Sequence, residues 1–332
     1  VRAVVLVGGF GTRLRPLTLD VPKPMLPVGH VPIIERLVAN LARGGISEVT
    51  LAMGFLPEPF LAAFPNGTCA GVRVRYAVEP EPLDTAGAIR FAATQAGIDD
   101  TFVVANGDVL TDLHVDQLVA FHRARRATAT LHLTSVVDPS QFGVVALDAA
   151  GRVERFVEKP APGTAPSNLI NAGTYVLEAE VLERIDADRR VSIERETFPA
   201  LVADHGVYAM ATDDYWVDTG TIELFRRANL HAVSAAHPSP SPAVAPTASV
   251  HAHAVIDESV IGDGARVEAD ALVVGSVLMP GAVVERGAVV TRSVIMGAVR
   301  SDATVVDSTI GQHAEVAAGE TVDGIRRPAP QA

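Results

Sequence analysis

Through the first two hundred residues, short apolar runs alternate with stretches of helical spacing. Residues 3–7, 48–53, 72–78 and 101–105 have the length and apolar content of buried strands. Between the first two, Ile33, Ile34, Leu37, Val38 and Leu41 fall on one helical face, and Gly44 and Gly45 end that helix. Residues 113–123 repeat the pattern, with Leu118, Val119 and Phe121 on the apolar side. Strand–helix–strand alternation predicts right-handed crossovers and a mostly parallel sheet covered on both faces. Ligands of such sheets bind at the carboxyl ends of the strands. From Thr128 the pattern becomes strand-rich. Residues 143–147 and 152–157 flank Asp148, Ala149, Ala150 and Gly151, a hairpin turn, and Ser192 is placed to cap a helix running towards Leu201.

A Pro-rich, uncharged stretch over 235–246 breaks this texture, since it continues no helix. Beyond it small apolar residues recur every six positions: Ile261, Val267, Val273; Val284, Val290, Met296; Ile310, Val316, Val322. A six-residue period predicts a β-helix, in which each short strand forms one side of a coil. The register slips between blocks, and a generic Val/Ala-rich β domain is the alternative. The expected organisation is an α/β domain over 1–234, a linker over 235–247, a β-helix over 248–325 and a tail over 326–332.

Composition narrows the function. A chain of 332 residues, 48% hydrophobic, can bury a large core and a smaller one. The net charge of −12 argues against nucleic acid or an anionic membrane as partner. Small anionic substrates remain open to a local cluster of cations. The single Cys69 excludes an intrachain disulfide and fits a cytoplasmic protein. No apolar run reaches the length of a membrane span, and the opening run lacks the pattern of a signal peptide.

The candidate chemistry begins where the first strand ends. Leu6, Val7, Gly8, Gly9, Phe10, Gly11, Thr12 and Arg13 form a glycine-rich loop whose N–H groups could face phosphate oxygens. No P-loop motif occurs in the chain. The dinucleotide fingerprint fails too, because the glycine spacing is wrong and the second strand ends Ala52, Met53, Gly54 without a carboxylate. What remains is a loop that wraps a nucleotide and presents Arg13 to phosphate, or a tight strand-to-helix turn carrying an incidental arginine. Lys23, framed by Pro22 and Pro24, is a lysine on a stiffened backbone.

These segments resemble the NDP-sugar pyrophosphorylases (sugar-1-phosphate nucleotidyltransferases). The matching residues are 8–18 and 22–24, then Glu79-Pro80, Ala86-Gly87-Ala88, Asn106-Gly107-Asp108, 142–145, 157–160, 170–173 and 216–221. Residues 156–160, 170–173 and 191–199 are most similar to mannose-1-phosphate guanylyltransferases, and the tail resembles the left-handed parallel β-helix that many of these enzymes append. The resemblance implies a Rossmann-like α/β domain followed by that β-helix. It implies transfer of a nucleotidyl group from a nucleoside triphosphate to a sugar 1-phosphate, with GTP and mannose 1-phosphate favoured.

It also implies roles by position. Arg13, Lys23, Asp108 and Asp218 are catalytic, and Asp108 and Asp218 bind Mg²⁺. Leu6, Gly8, Gly9, Gly11, Thr12, Glu79 and Asp84 join Arg13, Lys23 and Asp108 around the nucleotide. Gly143, Glu158, Lys159, Asn171 and Gly173 take the sugar phosphate. Taken singly, Asp108 also suits an Asx turn, Asp218 a helix cap, and the pair 158–159 an exposed hairpin end. Asp84 stands where the family usually has glycine. The tail suggests a homo-oligomer. Alternatives are glucose 1-phosphate with dTTP or UTP, another sugar or cyclitol phosphate, or a regulatory subunit that binds NDP-sugar without turnover. Acyl transfer at His313 is a weaker alternative.

Overall fold

The first apolar run becomes a strand one residue earlier than its pattern suggests, at β1 (Arg2–Leu6). It begins a computed structural model that describes residues 1–54, 57–187, 189–237 and 239–329. Pro238 of the expected linker and residues 330–332 of the expected tail lie outside the described residues. Contacts divide the chain into a sheet unit, Val1–Gly9 with Ile34–Trp216, and a β-helix unit, Phe10–Ile33 with Val217–Ala332. Residues 10–33 and 217–234, assigned from sequence to the α/β domain, thus group by contact with the coils.

In chain order the sheet unit contains β1, α1 (Ile33–Arg43, from Ile34 onward), β2 (Glu48–Met53), β3 (Val72–Val78), α2 (Asp84–Gln95), β4 (Phe102–Asn106), α3 (Val115–Arg125), β5 (Ala129–Ser135), β6 (Gly143–Leu147), β7 (Val153–Glu158), β8 (Leu169–Leu177), α4 (Phe198–Ala203) and β9 (Val207–Ala211). The order β4-β1-β2-β3 is parallel throughout, as the alternation predicts. Strand β8 joins β4 antiparallel, carries β5 and β6, and β6 turns into β7 as the expected hairpin. Asp148 Oδ1 holds that turn by accepting from the N–H groups of Ala150 at 2.8 Å and Arg152 at 2.9 Å. Both faces of the sheet are covered, because successive residues of β1 (Ala3, Val4, Val5) and β4 (Phe102, Val103, Val104, Ala105) are fully buried. Ile89, Ala92 and Ala93 of α2 pack in one cluster with Val4, Ala52, Ala77 and Val104. The helix expected from Ser192 to Leu201 is divided: Ser192 caps a π-helical turn over Ile193–Thr197, and α4 follows. Pro199 in the first turn of α4 has no N–H to continue the earlier ladder.

Two histidines are buried in this unit. His132 Nε2 lies 2.8 Å from Thr212 Oγ1 while its Nδ1 has no partner, and burial pushes its pKa down to about 4. His122, between Thr130 and Glu178, is also lowered by burial. An unfolded chain binds these protons near pH 6.5 and the folded one only at lower pH, so this stability is full above that pH and declines below it, for His132 as pH falls towards 4. For His132 the loss amounts to about 3 kcal/mol over the whole window. Urea midpoints between pH 7 and pH 5, before carboxylates titrate, should fall in the wild type and fall less in His132→Asn; parallel declines would contradict this assignment.

The β-helix unit contains α5 (Ile222–Val233) and three five-stranded parallel sheets. In the third sheet Val260, Val277, Val294, Thr309 and Arg326 stack in register. Coils repeat every 17 residues, with one shortened to 15. Inward residues follow spacings of six, six and five, as in Ile261, Val267, Val273 and Leu278, all buried. The extra five-residue step is the slip seen in the sequence pattern. It moves the inward position to Ile295, fully buried, and leaves Met296 half-buried rather than in the core. Along one corner, Ser259, Ser276, Ser293 and Ser308 form a ladder. Each hydroxyl donates to a carbonyl two residues back and accepts the N–H of the residue one coil on, Ser276, Ser293, Ser308 and Ile325 in turn. Helix α5 ties residues 10–33 to this unit. Asn229 Oδ1 accepts the N–H of Gly29 at 3.0 Å, and Arg226 Nη1 donates to the Gly275 carbonyl at 2.6 Å.

Candidate active site

The cationic part of the candidate site is built within the β-helix unit. Gly11, at φ 55°, reverses the chain into a single turn over Thr12–Leu14, and Thr18 Oγ1 fixes the reversal by donating to the Gly11 carbonyl at 2.7 Å. Leu14 and Leu17 are buried while Thr12 and Arg13 stay exposed, so the apolar residues anchor the turn and the guanidinium projects. Pro22 and Pro24 flank Lys23 in a second short turn. The Lys23 side chain is only 8% exposed and its Nζ lies 3.0 Å from Asp218 Oδ1. A buried ammonium requires such a counterion. Gly220 brings the group together: a Cβ there would lie 2.8 Å from Arg13 Nη2 and 3.0 and 3.1 Å from the two carboxylate oxygens of Asp218. Thr221, not Asp218, caps α5, its Oγ1 accepting the Leu224 N–H at 3.3 Å. The capping alternative for Asp218 is thereby removed.

Within the sheet unit, Asp108 lies two residues beyond β4. Gly107 donates its N–H to the Leu6 carbonyl at 2.8 Å, and a Cβ on Gly107 would meet that oxygen at 2.8 Å and Val7 Cγ1 at 2.6 Å. Asp108 therefore emerges at the carboxyl ends of β1 and β4, where the fold predicts ligand. Leu6 is half-buried at the same edge, and Gly9 follows at φ 127°. A Cβ on Gly8 would lie 4.0 Å from Glu79 Oε1. Glu79 Oε2 accepts the Leu83 N–H at 2.9 Å, and burial raises its pKa. Asp84 begins α2 at φ 62°, a conformation that glycine adopts freely and Asp tolerates. Its Oδ1 accepts the Thr85 N–H at 2.8 Å. Backbone geometry thus accounts for a glycine preference at this position.

A second group sits at the β6–β7–β8 end of the sheet. Gly143 pairs with Glu158, and a Cβ there would lie 2.6 Å from Phe156 and 3.0 Å from Glu158 Oε2. Lys159, at φ 48° and exposed, reaches Glu158 Oε1 at 3.5 Å. Glu158 is raised chiefly by burial and then by the Glu194 charge, against the lowering effect of Lys159. Asn171 is committed internally. Its Oδ1 accepts the Gly173 N–H at 3.0 Å and its Nδ2 donates to the Tyr175 hydroxyl at 2.8 Å, holding the irregularity in β8. Gly173, at φ 79°, packs where a Cβ would meet Asn106 Nδ2 at 2.7 Å.

Sequence reasoning quoted Phe142, Trp216 and Glu194 within its matching segments but gave them no role. Trp216 Nε1 donates to the Ala172 carbonyl at 2.9 Å and packs edge-on against Phe142 at 5.8 Å, forming an aromatic wall beside the glycines. Glu194 accepts from Thr85 Oγ1 at 2.8 Å and Ser192 Oγ at 2.9 Å, tying the start of α2 to the π-helical turn. The single Trp of the chain was an available signal, and Glu194 lay inside the matching stretch 191–199 with no feature that singled it out.

The carboxylates suit a hard divalent ion. Among the described residues no group of three or more His, Cys, Asp or Glu forms a protein cage. Mg²⁺ needs none, since it takes one or two carboxylates and completes its shell with water and phosphate oxygens.

A parallel sheet with a glycine-rich loop after its first strand is the architecture of a nucleotide-binding α/β domain. The chain belongs to the nucleotidyl transferase family, whose model matches residues 2–234. A GlmU-like C-terminal hexapeptide model matches residues 240–315, in accord with the left-handed β-helix. Similar proteins include a mannose-1-phosphate guanylyltransferase of Mycobacterium tuberculosis, 45% identical over 73% of this chain and 67% of its own length. A mannose-1-phosphate guanyltransferase of Aspergillus fumigatus is 41% identical over 66% of this chain and 60% of its own length. The chain thus spans between 60% and 67% of these relatives. Among solved structures, HddC from Yersinia pseudotuberculosis complexed with GMP-PN superposes with a TM-score of 0.58 and 27% identity, over 69% of this chain and 97% of that one. Enzymes of this family generally use a divalent metal ion.

Proposed function

We propose that the chain transfers a guanylyl group from GTP to mannose 1-phosphate, with Mg²⁺, giving GDP-mannose and pyrophosphate. A phosphate oxygen of the sugar 1-phosphate forms a bond to the α-phosphorus. The bond from that phosphorus to the bridging oxygen breaks, and pyrophosphate leaves with the electron pair. The attacking oxygen is already anionic near neutral pH, so no strong base is needed. The chain's work is to position two anions and neutralise growing charge. Arg13 holds the β- and γ-phosphates with its planar fork, Lys23 the α-phosphate, and Lys159 the phosphate of the sugar. Glu158 accepts from sugar hydroxyls, with Gly143, Asn171 and Gly173 around the ring. Leu6, Gly8, Gly9, Gly11, Thr12, Glu79 and Asp84 surround the nucleoside. Mg²⁺, when bound, supplies Lewis-acid stabilisation of phosphate oxygens, with Asp108 and Asp218 as its carboxylate ligands.

The observation that carries this reading is the convergence of Arg13, Lys23 and Asp218 around Gly220. The names of the two relatives and the GMP-PN bound by the structural neighbour support guanine and mannose. The proposal extends to a homo-oligomer in a reducing cytoplasm. It is supported by half-buried Leu272, Val274, Val289 and Val306 facing outward on the second sheet of the β-helix. Cys69 is buried with its pKa pushed up to about 12, an unreactive thiol. No helix of the described residues is long and apolar enough to cross a membrane.

The test is a pyrophosphate-release matrix of several triphosphates against several sugar 1-phosphates, with Mg²⁺ and with EDTA. GTP with mannose 1-phosphate should give the highest kcat/KM, and EDTA should abolish turnover. A different preferred pair would overturn the specificity, and turnover in EDTA the metal.

A further inference from the structure

The last coil of the β-helix closes on the loop that bears Arg13, and all the groups involved belong to one compact unit. Arg326 Nη1 donates to the Arg13 carbonyl at 2.9 Å and to the Arg15 carbonyl at 3.2 Å. Gly311, one coil earlier, leaves room for the same loop: a Cβ there would lie 2.9 Å from Pro16 Cβ. His313 Nε2 lies 3.4 Å from Asp20 Oδ2 at the loop's far end. Three separate points of the last coils thus meet residues 13–20.

Within the loop, Leu14, Arg15, Leu17 and Leu19 donate to the carbonyls of Gly11, Thr12, Leu14 and Pro16, and Thr18 Oγ1 to that of Gly11. None of these bonds uses the carbonyls of Arg13 or Arg15, which Arg326 takes. One guanidinium nitrogen spanning two carbonyls sets their separation, and with it the direction in which the Arg13 side chain leaves the backbone. Arg326 itself is firmly based. It stacks in register on Thr309, and its neighbour Arg327 is held by Glu320 at 2.6 and 2.9 Å. Arg326 lies beyond residue 315, where the hexapeptide match ends.

We propose that Arg326 is a positioning residue for triphosphate binding, acting through Arg13, so that the end of the β-helix is part of the catalytic apparatus. This rests on the reading that Arg13 holds the triphosphate. The side chain of Arg326 is exposed, so its removal should leave the melting temperature unchanged while the loop loosens.

The test compares Arg326→Ala, Arg326→Lys, Arg13→Ala and the double alanine variant, by steady-state kinetics and by calorimetric binding of GTP with Mg²⁺. Arg326→Ala is expected to lower kcat/KM for GTP and weaken its binding about tenfold, the scale of a lost hydrogen bond to a charged group. KM for mannose 1-phosphate should stay within about twofold, as expected for a contact confined to the triphosphate. Arg326→Lys should recover most of the loss. The double variant should match Arg13→Ala alone, because residues acting through one another are non-additive. Unchanged GTP binding in Arg326→Ala, or additive losses in the double variant, would overturn the positioning role while leaving Arg13's own role intact. Wild-type behaviour of Arg13→Ala would instead overturn the underlying assignment of Arg13, and the positioning role with it.

Discussion

Replacing Asp108 or Asp218 by asparagine should lower pyrophosphate release by at least roughly a hundredfold each, the effect of removing one strong transition-state contact. Asparagine keeps the shape of the side chain and removes the charge, so the loss reports electrostatics rather than packing. The two positions should differ in what accompanies the loss. Asp218 is the counterion of Lys23, whose side chain is 8% exposed. Asp218→Asn should therefore also lower the melting temperature, since it removes a negative charge 3.0 Å from a buried ammonium. Asp108→Asn should show the kinetic defect with a higher Mg²⁺ requirement and little change in melting. Near-wild-type turnover in either variant would remove that residue from the mechanism.

Gly297→Ala should be the most damaging small substitution in the β-helix. The shortened coil brings the chain so close to its neighbour that a Cβ at Gly297 would lie 2.0 Å from the Ala314 carbonyl oxygen and 2.5 Å from that of Gly311. Both are backbone atoms of the next coil, so no side-chain rotation relieves the contact. The next coil would have to separate, breaking the bonds that the N–H groups of Met296 and Ala298 make to the carbonyls of Ile310 and Ala314. A loss on the order of 3 kcal/mol or more is expected, in the upper range for overpacking. Chemical denaturation would read it directly, and a variant within about 0.5 kcal/mol of wild type would show that the coil spacing is softer than it looks. Gly264→Ala is a suitable control. No atom lies within 4 Å of a Cβ there, and the substitution carries only the strain of φ 65°.

The strands of the parallel sheet were readable because burial on both faces leaves continuous apolar runs; 48–53 and 72–78 match residue for residue. The hexad period likewise announced the coils. Met296 was misplaced because a coil steps six, six and five, and a strict six-residue count drifts off the inward face by one position. The antiparallel partners of β8 carried no signal in local spacing, since pairing direction depends on connections distant in the chain. Arg13 stood out through its glycine-rich loop, Lys23 through its two prolines and Asp218 only through the family resemblance; the structure brings Arg13 and Asp218 together at Gly220, with Lys23 on Asp218. Asp84 became intelligible only with its φ of 62°, which a sequence does not display. Arg326 was invisible for a plainer reason. Its partners are main-chain carbonyls more than 300 positions away, and a carbonyl has no side-chain identity to read.

Residues 10–33 interrupt the sheet unit in sequence yet pack with α5 and the coils. Heredity is constrained accordingly. A tail exchanged by recombination for one from another protein would arrive without the arginine and the glycine that fit Arg13 and Pro16. The coils are therefore not a detachable cassette, and residues 13–20 and the coils that brace them must drift together.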